Sequence, residues 1–302
     1  MTTDKHIHSV PGAPSPGGSF ACTGLSGTAV TPSPEPPADP ARRLVWLAEH
    51  YWDSFDWNDA RWTAEESALE GAFMFWADLL GRIPETDAAR LSGALLHKVD
   101  SHPDIQLLLL DAAGYFWQHP GSMFRNEELL IPMLEAAIAA PSIGNIHKER
   151  VRARLASVLR NRPGTRAADF TYTTGDDGRG TLHGFCAGYT LLMFYNPGCP
   201  ECGRIEEYIP GSEVFAPLIA SGRLKVLAIY PGEDVEAWRK HLPQMPAGWT
   251  VRHAPMGKDG TAAYDLPGIP VLYLLDRDKT VLVRNRPVDV IEAWCAKHAD
   301  DR

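Results

Sequence analysis

Two cysteines three residues apart, Cys199 and Cys202, are the residues of this 302-residue chain whose types and spacing most clearly permit chemistry. Pro200 and Glu201 lie between them, and an apolar run over 189–195 comes shortly before. This order predicts a buried strand, a short loop and a helix that begins at the cysteines, which brings the two sulfur atoms together on the first helical turn. There they can close a small, reversible disulfide, and the helix N-terminus favours the thiolate form of Cys199. The pattern therefore predicts thiol–disulfide exchange.

Three other interpretations of this cysteine pair stay open. The pair could be half of a zinc site, although the residues that would complete it show no ligand spacing; these candidates are His183, Cys186, His253 and His298. It could form a purely structural disulfide, although closing so small a loop stabilises a fold very little. It could also be redox-inactive, in a binding or adaptor protein. Redox exchange is the interpretation that we favour.

The composition argues against several classes of function. A net charge of −9 makes an electrostatic footprint for nucleic acid unexpected. No apolar stretch approaches the roughly 20 residues that span a bilayer, and five cysteines are too few for a disulfide framework. No glycine fingerprint for a dinucleotide follows a predicted strand. We therefore expect no cofactor and no metal, so that electrons would come from a partner protein.

Residues 1–39 are predicted to be a disordered leader. The first 40 residues contain eight prolines, five glycines and five serines, with little apolar periodicity. They show neither the basic start nor the apolar stretch of a secretory signal peptide. Cys22 follows Ser19, Phe20 and Ala21, a weak likeness to a lipoprotein cleavage site without the apolar run before it. We interpret Cys22 as an ordinary cysteine of the leader.

Residues 40–163 are predicted to form an all-α domain. Asp39 and Pro40 are typical of a cap followed by proline at the first helical position, and apolar residues then recur at helical spacing. Further helix starts are predicted at Thr63 (a capping box with Glu66), Thr86, Pro103 and Asn126. Most tryptophans of the chain lie in this part, and we interpret them as core residues rather than as an aromatic groove for a partner; they are Trp46, Trp52, Trp57, Trp62, Trp76 and Trp117.

Residues 164–302 are predicted to form an α/β domain after the turn signal at 161–164. Short apolar runs predict strands over 170–172, 189–195, 224–230, 249–251, 271–275 and 281–283. Helical patterns follow the cysteines as far as Pro210, and then cover 213–220, 234–241 and 288–298. We expect a central mixed sheet flanked by helices.

This order of elements resembles the thioredoxin fold over about 169–298. The resemblance is carried by 197–202 after a buried strand and by Gly268, Ile269 and Pro270 before the final hairpin. It implies that Pro270 is a cis proline that lies against the cysteine pair and helps to bind the substrate backbone. Ile269, Pro200 and Gly198 are the further substrate-binding residues that it implies. The long connection between Cys202 and Pro270 is similar to that of the TlpA/ResA-type thioredoxins, which are anchored to membranes.

The whole chain also resembles Gram-negative envelope proteins that join a helical domain of unknown function to such a module. The strings that carry this resemblance are 124–128, 161–164, 168–172 and 225–231. It implies a periplasmic or cell-envelope location, client proteins with disulfides and an electron-donating redox protein as partners. It also implies a lipid anchor, for which the N-terminal residues show no signal.

The site departs from thioredoxin at two positions. Gly198 stands where thioredoxin has a tryptophan, and Met193 stands where it has a buried aspartate that relays protons. The thiol of Cys202 must therefore lose its proton to water or to another group such as Glu201. The negative charge of Glu201 also disfavours a thiolate at Cys199, so we expect a reductase rather than an oxidase.

The remaining chemistry-bearing residues are given structural roles. Cys186 and Cys295 are interpreted as inert thiols, with a bridge between them or a further redox cysteine as alternatives. Glu206 and Glu207 are interpreted as a solvated helix face. Asp276, Asp278 and Lys279 are interpreted as turn residues, not metal ligands. The histidines, including His241, show no spacing that suggests a catalytic triad.

Overall fold

The computed structural model of the protein describes residues 35–174, 178–257 and 261–298. The leader predicted over 1–39 therefore lies almost wholly outside the described residues, as does its Cys22. The first part of the described chain is helical. Its helices are α1 Pro40–His50, α2 Arg61–Ala64, α3 Glu66–Leu80, α4 Glu85–Leu95, α5 Pro103–Gln118, α6 Glu127–Ala139 and α7 Asn145–Val158, with a 3-10 turn at Leu96–Val99.

Three of the predicted helix starts are confirmed. The Asp39 carboxylate accepts a hydrogen bond from the backbone N–H of Arg42 at 2.9 Å, and so caps α1. Pro103 is the first residue of α5. The side chain of Asn126 accepts from the N–H of Glu128 at 3.3 Å and caps α6. Asp39 and Asn126 each accept from an N–H group that the helix itself leaves unpaired, whereas Pro103 removes one such group because proline has no N–H.

Two other predicted starts are wrong. Thr63 lies inside the short helix α2, where its hydroxyl donates to the carbonyl of Ala60, and α3 begins after Glu65 without a side-chain cap. Thr86 lies within α4, which begins one residue earlier, at Glu85 after Pro84. Packing of the apolar faces determines these starts, because a capping side chain supplies only about 1 kcal/mol.

The helical part has its own hydrophobic core. Trp52, Trp76 and Trp117 are fully buried there, which confirms the core interpretation for these three tryptophans. One basic side chain of α7 is half-buried. Arg154 turns inward and donates two hydrogen bonds to the side-chain oxygen of Gln118, at 2.8 and 3.1 Å.

The second part of the chain is a seven-stranded mixed sheet, which confirms the predicted α/β class. Its strands are β1 Thr171–Thr173, β2 Arg179–Thr181, β3 Tyr189–Phe194, β4 Leu224–Tyr230, β5 Thr250–His253, β6 Val271–Leu275 and β7 Val281–Arg284. Their order is β2-β1-β5-β4-β3-β6-β7. Strands β3, β4 and β5 are parallel, and the other pairs are antiparallel. The sequence did not predict β2, because this short edge strand lacks an apolar run.

Helices and irregular segments cover opposite faces of this sheet. The helices are α8 Pro200–Gly211, α9 Phe215–Ala220, α10 Val235–His241 and α11 Val288–His298, and 3-10 turns lie at Leu242–Gln244 and Thr261–Ala263. On one face, Met193 of β3 and Tyr195, directly after β3, pack with buried residues of these helices, such as Ile209. On the other face, Phe194 packs with Phe170 and other residues outside the helices. The fully buried β3 thus lies at the centre of the fold.

A buried ion pair joins the two parts of the chain. Arg284 at the end of β7 contacts the carboxylate of Glu127 in α6 at 2.8 Å, and each side chain is only 3 % exposed. Asn285 donates to the same carboxylate at 3.1 Å, and Arg284 also donates to the carbonyl of Val158 in α7. Removing one member would leave a buried charge unpaired. Within the described ranges, none of the helices is both long and apolar enough to cross a membrane.

Candidate active site

The two cysteines occupy the start of α8. Cys199 is the residue before the helix, and its sulfur accepts a hydrogen bond from the backbone N–H of Cys202 at 3.3 Å. This contact arises because the first N–H groups of a helix have no partner within it. A sulfur in this position meets both an N–H donor and the positive end of the helix dipole, which favour a thiolate.

The loop before Cys199 depends on a glycine. Gly198 has φ +76°, a conformation in which a side chain is strained, and nothing crowds its Cα. Gly198 and Pro200 are exposed on either side of the half-buried Cys199. The first sulfur is therefore approachable from solvent on the side of the loop.

A segment distant in sequence completes the site. The peptide bond between Ile269 and Pro270 is cis. The carbonyl oxygen of Ile269 lies 3.7 Å from the sulfur of Cys199. Pro270 is buried directly before β6, and β6 pairs with β3, the strand that leads into the cysteine loop. The sheet register thus brings the Ile269–Pro270 turn next to Cys199.

Cys202 differs sharply from Cys199 in its surroundings. Its side chain is 1 % exposed and packs in the core between the sheet and the helices. Burial raises the pKa of the Cys202 thiol far above its ordinary value, and the neighbouring Cys199 and Glu206 add to this effect. The pair therefore combines an accessible sulfur that can attack and a buried sulfur that holds its proton.

Two glutamates lie near the cysteines, and their surroundings differ. Glu201 forms an ion pair with the exposed Arg204, one helical turn away. Glu206 was expected on a solvated face, but its side chain is only 12 % exposed and contacts His241 of α10. That expectation is wrong for Glu206 and correct for Glu207, which is exposed. The cause is His241, the last residue of α10, which lies beside Glu206.

The helical part also contacts the cis-proline segment. Arg125 donates a hydrogen bond through Nη1 to the carbonyl oxygen of Pro270 at 3.4 Å. Pro120 packs so closely against Gly268 that a Cβ at that glycine would come within 2.5 Å of the Pro120 ring. Sequence reasoning missed both contacts, and no local pattern of the sequence signals them.

The other candidate residues lie apart from the site. The ring nitrogens of His183 and His253 contact backbone carbonyls at 2.8 Å. Within the described ranges, no three histidine, cysteine or acidic residues are grouped as a metal would require. Cys186 is exposed and Cys295 is buried, and both thiols are free. The carboxylate of Asp276 accepts from the N–H groups of residues 278 and 280, as expected of a turn.

This chain is similar to known proteins in sequence and in fold. The sequence model of the family called Domain of unknown function (DUF5106) matches residues 21–161. The crystal structure of a thioredoxin-like protein from Bacteroides caccae is similar to this chain at 33 % identity and a TM-score of 0.77, covering 90 % of this chain and 100 % of that one.

Other similar structures cover only the second part of the chain. The C-terminal domain of an uncharacterised protein from Bacteroides fragilis is 39 % identical over 45 % of this chain and 98 % of its own, with a TM-score of 0.41. A putative thiol:disulfide interchange protein DsbE from Chlorobium tepidum is 26 % identical over 45 % of this chain and 96 % of its own, with a TM-score of 0.39. No curated protein matches. Because the Bacteroides caccae protein is matched over its whole length, this chain belongs to the thioredoxin-like proteins, with a helical N-terminal domain of unknown function joined to the thioredoxin-like part.

Proposed function

We propose that this protein is a thiol–disulfide oxidoreductase that uses Cys199 and Cys202 as its redox pair. The observation that carries the proposal is the contrast between the two sulfurs. Cys199 is half-buried, caps the N-terminus of α8 and faces the Ile269 carbonyl. Cys202 is buried and keeps its proton. An attacking thiolate beside a protonated resolving thiol is the arrangement that stepwise exchange needs.

The reaction proceeds in two exchanges. The Cys199 thiolate attacks one sulfur of a client disulfide, forms a mixed disulfide and releases the other client sulfur as a thiolate. Cys202 then loses its proton and attacks the sulfur of Cys199. The bond between Cys199 and the client breaks, and the client leaves fully reduced while the Cys199–Cys202 disulfide forms. A donor dithiol protein restores the pair by the same exchange in reverse.

Reduction is the direction that the charges favour. The carboxylate of Glu201 stands on the first turn of α8, where its negative charge opposes that of a Cys199 thiolate. Arg204 offsets part of this charge through its ion pair with Glu201. A less stabilised thiolate corresponds to a more reducing couple.

We further propose that the protein works in the cell envelope on client proteins with disulfides, with an electron-donating redox protein as its partner. The resemblance to envelope thioredoxins supports this location, and the proposed lipid anchor rests on the same resemblance. Fractionation of the native host, with detection of the untagged protein, tests it. Recovery in the cytoplasmic fraction alone would contradict the location and leave the chemistry untouched.

The chemistry is tested with a generic protein disulfide and dithiothreitol as donor. The wild-type protein should accelerate reduction, Cys199→Ser should abolish the acceleration, and Cys186→Ser should retain it. Cys202→Ser should accumulate mixed disulfides with clients. A folded wild-type protein with no effect on the rate would favour the alternative, a redox-inactive adaptor whose helical domain captures a partner.

A further inference from the structure

A buried polar cluster lies beside the redox pair and has no assigned role. It consists of Tyr195 directly after β3, Glu206 on α8 and His241 at the end of α10. The exposed fraction of the side chain is 12 % for Glu206 and 15 % for His241, and Tyr195 is fully buried. Glu206 follows Cys202 by one helical turn, so that both side chains lie on the same face of α8.

The polar groups of this cluster lie close together, but several of their atoms lack hydrogen-bond partners. Glu206 Oε2 lies 3.7 Å from His241 Nε2, and the rings of Tyr195 and His241 are 5.8 Å apart between centroids. Glu206 Oε1, His241 Nε2 and the Tyr195 hydroxyl are buried, and none has a hydrogen-bond partner among the residues that the structure describes. Buried polar atoms are rarely left in this state without a functional reason.

The cluster is connected to the reacting sulfur by an open groove. The groove has a volume of about 390 Å³ and is lined both by Glu206 and His241 and by Gly198, Cys199 and Pro200. It is large enough for several water molecules, which need polar partners of the kind that this cluster offers. Protons can therefore pass between the cluster and solvent next to Cys199.

The exchange reaction needs a proton acceptor at this place. Cys202 is buried and protonated, and it must become a thiolate before it can attack Cys199. Met193, on the adjoining strand, is apolar and cannot accept a proton. Glu201 is engaged by Arg204. Among the described carboxylates, Glu206 is the one whose charge acts on the Cys202 thiol.

We propose that Glu206 is the general base that takes the proton from Cys202 when Cys202 attacks Cys199, and that His241 is a positioning residue that holds the carboxylate. This inference rests on the proposed function and specifies its second step. The proton moves from the Cys202 sulfur to the Glu206 carboxylate and then through the groove to solvent. The electron pair of Cys202 forms the new S–S bond, and the client sulfur leaves with the pair of the bond that breaks.

We expect the rate at which Cys202 attacks Cys199 to depend on pH through the ionisation of Glu206. Burial raises the pKa of Glu206, and His241 offsets part of that rise. The titratable groups around Glu206 are Tyr195 directly after β3, Cys199 before α8, Cys202 in its first turn, and His241 from α10. Tyr230 of β4 adjoins Tyr195. Below its pKa the carboxyl group is protonated and cannot accept, so the second step should speed up as pH rises through the range in which Glu206 ionises.

The step can be measured with 5,5′-dithiobis(2-nitrobenzoate), in a chain that carries Cys22→Ser and Cys186→Ser. Attack by Cys199 releases one thionitrobenzoate and leaves the other on Cys199, and attack by Cys202 then releases the second. Glu206→Gln should leave the first release unchanged and slow the second at least about tenfold, since a general base contributes about 10²–10⁴-fold. It should also remove the rise with pH.

Two variants separate a base from a structural role. Glu206→Asp keeps a carboxylate and should keep part of the second-release rate and its rise with pH. Glu207→Gln changes the exposed neighbour and should match the wild-type protein. His241→Asn should shift the rise with pH without removing it.

The outcomes distinguish this inference from the proposed function. If Glu206→Gln matches the wild-type protein in the rate and pH profile of the second release, the inference is overturned while the oxidoreductase stands. If Glu206→Gln and Glu206→Asp are equally slow, Glu206 is only structural and the inference is again overturned. If the wild-type protein releases only the first thionitrobenzoate, Cys202 does not resolve the intermediate, and both proposals fall.

Discussion

Arg125 in the segment before α6 donates a hydrogen bond to the carbonyl oxygen of Pro270, 3.4 Å away, and so connects the helical part to the cis-proline segment of the redox site. Burial lowers the pKa of Arg125 to about 10, while the charges of Asp289 and Glu127 act in the opposite direction. A guanidinium held in the protein interior at this point fixes the position of the segment that faces Cys199. The helical part therefore contributes to the geometry of the site.

Replacement of Arg125 by methionine tests this contribution. Arg125→Met keeps the length and apolar stem of the side chain but removes the donor, whose loss should cost about 0.5–1.5 kcal/mol in the alignment of the site. We expect a fall of about three- to tenfold in kcat/KM for protein disulfide reduction. Stability should change little, because a buried charge is replaced by an apolar group.

Arg152→Met is the matched control, because Arg152 on α7 is about half-exposed and pairs with the exposed Glu149 of the same helix. Equal kcat/KM values for the two variants would show that the contact between Arg125 and Pro270 does not serve the reaction.

Gly268 and Pro120 form a second contact between the two parts, and a double-mutant cycle tests it. In Gly268→Ala the new Cβ would lie 2.5 Å from Pro120 Cγ, so one segment must move. Overpacking of this kind costs about 1–3 kcal/mol. Pro120→Ala removes the ring atoms that clash and should recover most of that loss in the double variant. Urea denaturation measures all four proteins, and strictly additive losses would contradict the packing explanation.

Loss of one member of the buried ion pair between Glu127 and Arg284 should destabilise the fold more than loss of both. Arg284→Met leaves the Glu127 carboxylate buried without its cation, and we expect a loss of about 3–5 kcal/mol in the free energy of unfolding. Adding Glu127→Leu removes the stranded charge and should recover a large part of this loss. The pair was not predictable from sequence, because its members are distant in the chain and both residue types are usually exposed. A double variant less stable than Arg284→Met alone would refute the explanation.

The cysteines should differ in reactivity according to their surroundings. Burial raises the pKa of Cys295 to about 12, and the nearby Glu292 adds to this effect. At a pH of about 8 its thiolate is scarce, so alkylation with iodoacetamide should be slow and should rise about tenfold per pH unit. Cys186 and Cys199 are accessible and should react first. Peptide mass spectrometry with and without denaturant assigns each rate, and rapid labelling of native Cys295 would contradict its buried position.

The raised pKa of Cys295 also makes the stability of the protein depend on pH. An unfolded cysteine ionises near a pH of about 8.5, whereas folded Cys295 keeps its proton until about pH 12. Burial of the neutral thiol is therefore fully favourable below about pH 8.5 and loses its advantage as pH rises towards about 12. Cys295→Ala should reduce the loss of stability over this alkaline range, as measured by thermal unfolding at successive pH values.

The sequence predicted most strands and helices of the second part, because its buried strands are continuous apolar runs bounded by turns. It predicted β4 and β6 with their observed ends, and it placed Cys199, Cys202 and Pro270 in one site. It failed at Glu206. Two consecutive residues of a helix point in different directions, and the sequence does not show which of Glu206 and Glu207 will be largely buried. The spacing of one turn between Cys202 and Glu206 was the available signal.

Local sequence patterns could not predict the contacts between the helical part and the rest of the chain. Helix starts at Asp39, Pro103 and Asn126 follow from short-range chemistry and were predictable. The start near Thr63 was not, because tertiary packing overrode a weak capping signal. Arg125 and Pro120 contact a segment far along the chain, and no periodicity within the helical part indicates which loop will meet it.

The ion pair of Glu127 and Arg284 restricts how this architecture can be recombined. A chimera that takes the thioredoxin-like part from one relative and the helical part from another inherits a stranded charge unless both donors supply the matching partner. Transplants between such proteins should therefore be designed with these two residues moved as a unit, and with Asn285 retained beside them.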